Sequence, residues 1–341
     1  MITLIKSKDD VNSFADISPL TTRGDVLYSS SGTVTGTRLA VGAANTFLKS
    51  DGTDVAWATT GSSPGTVEGR LTATSGTPVT TADVSGATSI YFTPYKGDSI
   101  ALYNGSSWET VTFTEVTISL SGLTASKPYD VFGYLNSGAL AIETLVWTDT
   151  TTRATALALQ NGVLSKTGVL TRRYLGTVFI NASGGQTDDT LEKRYLWNYY
   201  HQRTRPLLRV ETTDSWNYTT ATYRQANAAV ANQVETCVGW SDATLNVNVL
   251  GLAANTIGDN NCIVQVGIDE GGTTANDATI FSGPEIATYN AKAVVASLIK
   301  YPAVGWQKWV WVEKSTAIGT TTWYGDNGGS TASGIYGTIE G

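Results

Sequence analysis

His201 is the residue from which acid–base chemistry would have to start, because it is the only histidine in the 341-residue chain. A catalytic histidine needs a nucleophile on one side and an orienting acid on the other, and a metal site built on paired histidines needs a second one. His201 stands instead among Tyr199, Tyr200, Arg203 and Arg205. This setting favours an ordinary hydrogen-bonded or exposed histidine. We expect no catalytic residue, no metal site and no cofactor.

Two other sequence patterns contain the residue types that a hydrolase would need. Residues 61–65 read Gly-Ser-Ser-Pro-Gly, but a nucleophile elbow needs a strand before the serine and a helix after it, and neither is predicted here. Scattered acids could in principle form a glycosidase pair; they are Asp188, Asp189, Asp214, Asp269 and Glu270. Helix capping and solvated turns account for these acids, so we predict that the protein is not an enzyme.

Aromatic side chains near the C-terminus are the best candidates for recognition, because exposed Trp and Tyr dominate interface energies and stack on sugar rings. Trp309 and Trp311 alternate with polar or aliphatic neighbours, which places both on one strand face in a core or a contact between chains. We take Trp323, Tyr324 and Tyr336 as candidate receptor contacts.

The net charge and the absence of long apolar runs argue against a nucleic-acid-binding or membrane-spanning protein. A net charge of −7 and a pI near 4.8 argue against a nucleic-acid partner, so we expect the basic stretch 193–209 to contact a neighbouring chain. No apolar run approaches the length of a bilayer span, and the first residues lack a secretory signal.

Cys237 and Cys262 are predicted to be buried free thiols, with a disulfide as the open alternative.

Alternating apolar and polar residues predict an all-β protein, because a strand turns successive side chains to opposite faces. We predict a middle β-domain over 63–187 and a jelly-roll-like C-terminal knob over 206–341, both antiparallel sandwiches. Between them, Leu191, Tyr195 and Tyr199 recur at helical spacing, so 188–205 is predicted to be a short helical linker.

Residues 1–62 are predicted to form a thin, extended segment for attachment or a shaft. The segment has too few apolar residues for a core of its own. Its larger apolar side chains are therefore expected to be buried against other chains; they are Leu20, Leu27, Leu39, Phe47 and Trp57.

The same segment resembles a module of tail-fibre and other virion proteins of tailed bacteriophages. The resemblance lies in 19–28 (PLTTRGDVLY), 37–42 (TRLAVG) and 47–58 (FLKSDGTDVAWA). It continues in 100–108 (IALYNGSSW), 194–200 (RYLWNYY), 322–326 (TWYGD) and 333–337 (SGIYG). These motifs are typical of phage structural proteins and do not separate a tail fibre from a head decoration.

The resemblance implies a homotrimeric tail fibre that binds polysaccharide or protein on the host surface and attaches to other virion proteins of the tail or capsid. The chain would be made in the bacterial cytoplasm and end in the virion, with no nucleic-acid partner and no membrane insertion. Two alternatives stay open, a head fibre or capsid decoration protein and a tailspike that cleaves polysaccharide.

Overall fold

The computed structural model describes residues 20–28, 37–44, 46–50, 52–59, 63–257, 263–271, 280–281, 285–286 and 290–341. The chain divides into two compact units, an N-terminal unit (Met1–Ser62) and a C-terminal unit (Ser63–Gly341). Cys262 and residues 272–279 lie outside the described residues, whereas Cys237 is a buried free thiol as predicted.

The N-terminal unit contains two β-hairpins among its described residues. Their strands are β1 (Val26–Tyr28), β2 (Thr37–Leu39), β3 (Thr46–Ser50) and β4 (Val55–Thr59). The strand β1 pairs with β2, and β3 pairs with β4, both antiparallel. The Trp57 indole N–H donates to the carbonyl oxygen of Ala40 at 2.6 Å and so joins the second hairpin to the end of the first.

The C-terminal unit is built almost entirely of strands, as its alternating sequence predicts. The first of them are β5 (Gly69–Thr72), β6 (Val84–Ala87), β7 (Ser89–Pro94), β8 (Ser99–Tyr103), β9 (Trp108–Thr112), β10 (Val116–Ser119), β11 (Lys127–Asn136), β12 (Ala139–Val146), β13 (Leu157–Gln160), β14 (Val163–Lys166), β15 (Val169–Ile180), β16 (Thr187–Asp189), β17 (Lys193–Arg194) and β18 (Leu196–Asn198).

More strands follow along the described residues, and a short 3-10 helix lies between two of them at Ala226–Ala228. They are β19 (Thr204–Val210), β20 (Ser215–Asn217), β21 (Arg224–Gln225), β22 (Gln233–Val238), β23 (Leu245–Asn255), β24 (Ile263–Glu270), β25 (Ile280–Phe281), β26 (Glu285–Ile286), β27 (Lys292–Lys300), β28 (Gly305–Ser315), β29 (Thr321–Tyr324) and β30 (Gly334–Glu340).

Two large sheets form a sandwich in the later half of the unit. One sheet runs β25-β24-β28-β22-β17-β16-β6 with β21 and β26 at its sides, and the other runs β19-β30-β23-β29-β20 with β27 on the free side of β23. Their inner faces share one apolar cluster that contains Val247, Ile335, Val266, Trp309 and Trp311. The protein is therefore all-β, and Trp309 and Trp311 are core residues.

The earlier strands form a second sheet system with its own core. The sheet β12-β11-β15-β14-β13, with β18 on β15, packs with the sheet β10-β7-β5 and the hairpin β8-β9. Ile90, Ile100, Val131 and Val178 have no exposed surface in this cluster. Among the described pairings only that of β17 with β22 is parallel.

A buried ion pair lies where this second system meets the sandwich. Arg153 Nε donates to Asp130 Oδ2 at 2.8 Å, and the Asp130 side chain is only 1% exposed. Thr177 Oγ1 donates to the other carboxylate oxygen at 2.8 Å. The Arg153 guanidinium also lies 4.3 Å from the centre of the Trp147 ring and donates to the carbonyl oxygen of Gly239.

Two expectations about the middle of the chain are corrected by the structure. Residues 188–205 form no helix; they contain β17, β18 and parts of β16 and β19, joined by a tight turn in which the Thr190 and Lys193 backbones bond each other. The predicted division between 63–187 and 206–341 is also absent, because β6 and β16 belong to the same sheet as β22 and β28.

Candidate functional site

The sheet β19-β30-β23-β27 has one buried and one open side. Its register places Leu207, Val247 and Leu298 in one row, and all three are buried in the sandwich core. The adjacent row contains Leu208, Tyr336, Asn248 and Ser297, which point the other way. Because directly opposed residues in antiparallel strands share a face, the register defines every member of this open side.

We call this side the outer face. Its members are Thr204, Pro206, Leu208 and Val210 on β19; Gly334, Tyr336, Thr338 and Glu340 on β30; Asn246, Asn248, Leu250, Leu252 and Ala254 on β23; Ala293, Val295, Ser297 and Ile299 on β27; Thr322 and Tyr324 on β29; and Ser215 and Asn217 on β20. Glu340 is the only charged residue among them.

The outer face exposes large apolar side chains. Ile299 is 68% exposed, Val295 is 56% exposed and Tyr336 is 43% exposed, while Leu250 and Leu252 beside them are half-buried. Scattered apolar residues are normal on a protein surface, but a contiguous apolar area marks a site of contact with a partner or ligand. The outer face is the candidate functional site of this protein.

The polar members of the outer face bond mainly to each other. Ser297 Oγ donates to Asn248 Oδ1 at 2.7 Å, and Asn248 Nδ2 donates to Asn246 Oδ1 at 3.0 Å. The single carboxylate is also engaged, since Glu340 Oε2 accepts the backbone N–H of Thr244 at 3.2 Å. Much of the polar surface is therefore already satisfied before any partner arrives.

A shallow pocket of about 270 Å³ lies at the Tyr324 end of the outer face. Its walls are Ala254, Asn255, Thr256, Thr320, Thr322 and Tyr324. The Tyr324 end differs from the rest of the outer face, because threonine hydroxyl groups and the Asn255 amide lie around the Tyr324 ring.

Two of the three predicted receptor residues, Tyr324 and Tyr336, share the outer face. The prediction for Trp323 is wrong, because the alternation that turns Tyr324 outward turns Trp323 inward, opposite Ala253. Trp323 has no exposed surface and its indole N–H donates to the Tyr218 carbonyl at 3.3 Å. Receptor contact by Tyr324 and Tyr336 stays a prediction.

The apolar residues predicted to pack between chains are partly open in the N-terminal unit. Leu27 is 46% exposed and Phe47 is 42% exposed, whereas Leu20, Leu39 and Trp57 are half-buried. The partner predicted for these side chains stays a prediction. The Asp25 carboxylate stabilises the first hairpin. It accepts a hydrogen bond from Arg38 Nε at 2.7 Å and further hydrogen bonds from the backbone N–H groups of Thr21, Thr22 and Val41.

The residues considered for catalysis have structural partners. His201 Nε2 lies 2.6 Å from the Val67 carbonyl oxygen, so the expectation of an ordinary hydrogen-bonded histidine is confirmed. Asp188 and Asp189 are buried in β16 rather than capping a helix. Among the described residues, no three His, Cys, Asp or Glu side chains gather closely enough to hold a metal ion.

Four of the five basic side chains in 193–209 form ion pairs within the chain. Arg194 and Arg205 both bond the buried Asp189 carboxylate, each at 2.9 Å. Arg209 bonds Glu192 at 2.9 Å. The expectation that this stretch contacts a neighbouring chain is therefore wrong for the two buried arginines. In the part of the chain that the structure covers, no helix has the length and apolar character needed to cross a membrane.

The aliphatic half of the outer face was not predicted from the sequence. The signal was present in β27, where Val294, Ala296 and Leu298 form the buried side while Val295 and Ile299 lie on the other. An edge strand with a solvated side normally carries polar residues there. Two apolar faces on one strand are thus the readable sign of a second contact surface.

Comparison with known proteins shows little similarity. No protein-family model and no curated protein matches the sequence. A structure of infectious bursal disease virus, Gx strain, aligns at 10% identity and a TM-score of 0.27, covering 76% of this chain and 64% of that one. A Bacillus thuringiensis Cry1Da tryptic core variant aligns at 8% identity and a TM-score of 0.19, covering 75% and 48%. Similarity this low carries no argument about function; the class defined by the fold is an all-β sandwich protein.

Proposed function

We propose that this chain is a structural protein of a bacteriophage virion, a fibre whose N-terminal unit packs with other virion chains and whose C-terminal unit binds the host surface. The observation that carries the proposal is apolar exposure in both units, at Leu27 and Phe47 in one and at Val295 and Ile299 in the other. A protein that works as an assembly buries such surface on its partners.

The phage-like motifs support this proposal in the N-terminal unit. The segment TRGDVLY forms the first hairpin with TRLAVG, and Asp25 of that segment bonds Arg38 and Val41 of the other. The motif therefore has a structural use, which is to close a small hairpin that exposes Leu27. Repetition of a weak host contact across many fibre copies would give firm attachment.

The direct test is the protein content of purified particles. Particles of a phage whose genome encodes this chain are purified on a density gradient, and their peptides are identified by mass spectrometry. We expect this chain among the virion proteins, with immunogold labels on the tail. Labels on the head would refute the tail-fibre assignment and indicate a head fibre or decoration protein. Absence of the chain from infectious particles would refute a virion role.

A second test addresses host binding at the Tyr324 end of the outer face. Fluorescently labelled full-length protein is added to host cells, and Tyr324→Ala is compared with Tyr91→Ala, which removes another half-buried strand tyrosine. We expect at least a tenfold loss of cell binding for Tyr324→Ala alone. Equal binding by both variants would remove Tyr324 from the receptor contact.

A further inference from the structure

We infer that Glu313 is a proton-controlled latch for residues 215–228, which stay closed over the sandwich core while its carboxyl is protonated and open more readily once it is ionised. We call these residues the strap; they contain β20, β21 and the short 3-10 helix. Strand β20 pairs with β29 and places Ser215 beside Tyr324, so the strap also forms one side of the Tyr324 end of the outer face. An effect of the strap on host binding therefore rests on the proposed function, whereas the latch itself does not.

Glu313 occupies a position where a sandwich core would ordinarily hold an apolar residue. The row of β28 that faces the core contains Trp309, Trp311, Glu313 and Ser315, and the register sets Glu313 opposite Val266 of β24. The Glu313 side chain has no exposed surface. Apolar residues in place of a buried ion pair are often neutral or stabilising, so stability of the core does not explain this carboxylate. A role in a switch does explain it, because a switch needs a group whose charge can change.

Three parts of the strap bond this one carboxylate. Trp216, which packs against the sandwich core, donates its indole N–H to both oxygens, at 3.0 and 2.8 Å. Arg224 Nε donates to Oε1 at 2.8 Å, and Arg224 Nη2 lies 2.8 Å from the same oxygen. The backbone N–H of Asn227 donates to Oε1 at 3.1 Å. A change in the ionisation of Glu313 therefore acts on both strands and the 3-10 helix of the strap at once.

Little else holds the strap in place. Only Tyr223 and Ala226 are buried in it, and its other residues are half-buried or exposed. Strands β20 and β21 are short and pair over three and two residues. Asn227 and Ala228 have φ angles of 55° and 51°, in a left-handed conformation that is unfavourable for residues other than glycine. A segment with few buried contacts opens locally at low free-energy cost, so the bonds to Glu313 decide whether the strap stays closed.

The charges around Glu313 are few. Arg224 of the strap is the cation that faces it, whereas its neighbours on the same side of β28 and β24 are uncharged. Lys314 and Tyr223 pack together on the opposite side of β28. A second carboxylate, that of Glu211, lies beyond Asn227 and accepts the Asn227 side-chain amide at 3.3 Å. One partly exposed cation therefore has to balance a carboxylate that is fully buried.

The direction of the pH effect follows from burial. Burial raises the pKa of Glu313 to about 7 although Arg224 acts against this shift, whereas in an open strap the carboxyl would meet water and regain a pKa of about 4.5. The closed strap therefore binds the proton more tightly. Its advantage is complete below a pH of about 4.5 and is lost as pH rises through about 7. Glu211 differs, because hydrogen bonds from Thr213 and Asn232 lower its pKa although burial acts to raise it.

Hydrogen–deuterium exchange of the purified full-length chain tests the latch. Exchange of strap peptides is followed by mass spectrometry between about pH 5 and about pH 8 and is corrected for the intrinsic exchange rate at each pH, so that a protection factor results. Peptides from β11 serve as an internal reference. The variant Glu313→Gln keeps the size of the side chain and cannot ionise. The matched control is Glu211→Gln, which removes the other carboxylate that bonds Asn227.

We expect the protection factor of the strap to fall at least tenfold from about pH 5 to about pH 8, with that of β11 unchanged. Glu313→Gln should abolish this fall, and Glu211→Gln should lower protection at every pH but keep the fall. A pH-independent protection factor of the strap in the unmodified chain would overturn the inference, whether or not Glu313→Gln folds. A fall that persists in Glu313→Gln would overturn it as well. Because only purified chain is used, the result is independent of whether the chain is found in virions or binds host cells.

Discussion

Replacement of Asp130 by asparagine should weaken the C-terminal unit strongly, because it breaks a buried ion pair and keeps the cation. The Asp130 side chain is 1% exposed and that of Arg153 is 13% exposed. The asparagine side chain would be uncharged, so Arg153 would keep its contacts with Trp147 and Gly239 but lose its carboxylate. Removing one partner of a buried pair costs about 3–5 kcal/mol in the free energy of unfolding.

Urea unfolding followed by tryptophan fluorescence measures this loss. With a urea dependence of about 3 kcal/mol/M, a loss of about 3–5 kcal/mol lowers the midpoint by about 1–2 M. Protein concentration must be held constant, because any association between chains would also stabilise the folded state.

The matched control is Glu143→Gln on the neighbouring strand β12. Glu143 is 31% exposed and pairs with Lys166 at 3.7 Å and Arg172 at 3.0 Å. Partly exposed ion pairs contribute about 1 kcal/mol or less, so this change should move the midpoint by no more than about 0.3 M. If Asp130→Asn and Glu143→Gln shift the midpoint equally, the reasoning about the buried pair is refuted.

Two further predictions concern ionisation. Burial raises the pKa of Glu313 to about 7 despite its ion pair with Arg224, so the folded state binds the carboxyl proton more tightly than the unfolded state does. The free energy of unfolding should therefore fall by about 3 kcal/mol as pH rises from about 4.5 to 7. Urea midpoints measured at several pH values should lose this pH dependence in Glu313→Gln, and the same pH dependence in both proteins would contradict the assignment. The Arg38 side chain and backbone N–H groups hold the pKa of Asp25 well below its usual range, so Asp25 stabilises its hairpin fully above the unfolded pKa and this effect is lost progressively as pH falls below that value. Asp25→Asn at neutral pH should therefore speed tryptic cleavage after Arg38. An unchanged cleavage rate would show that the carboxylate does not hold the hairpin.

The sequence predicted the strands well because their alternation is regular. Strand β23 has Leu245, Val247 and Val249 on its buried side, and the same alternation of buried and more exposed residues runs through most of β27. The helix predicted over 188–205 failed for a physical reason: Tyr195 and Trp197 are buried, and Leu196 between them is buried too. A strand that is covered on both faces shows no alternation, so a chance spacing of four residues was read as helical.

The candidate site was only partly predictable. Tyr324 and Tyr336 can be found in the sequence as aromatic residues, whereas Trp323 directly precedes Tyr324 on the same strand and therefore points to the opposite side. The outer face as a whole depends on register between strands as distant as β19 and β30. No local pattern contains that pairing, so the row Leu208, Tyr336, Asn248 and Ser297 appears only in the folded structure.

The position of β30 has a consequence for how the protein is made. Residues 334–340 lie between β19 and β23 and bond to both. Until these residues have emerged from the ribosome, the sheet that carries the outer face stays in two pieces with their hydrogen-bonding edges open. Pairings this distant in sequence form slowly, and unpaired edges invite aggregation. We therefore expect the sandwich to close only once β30 is free to insert.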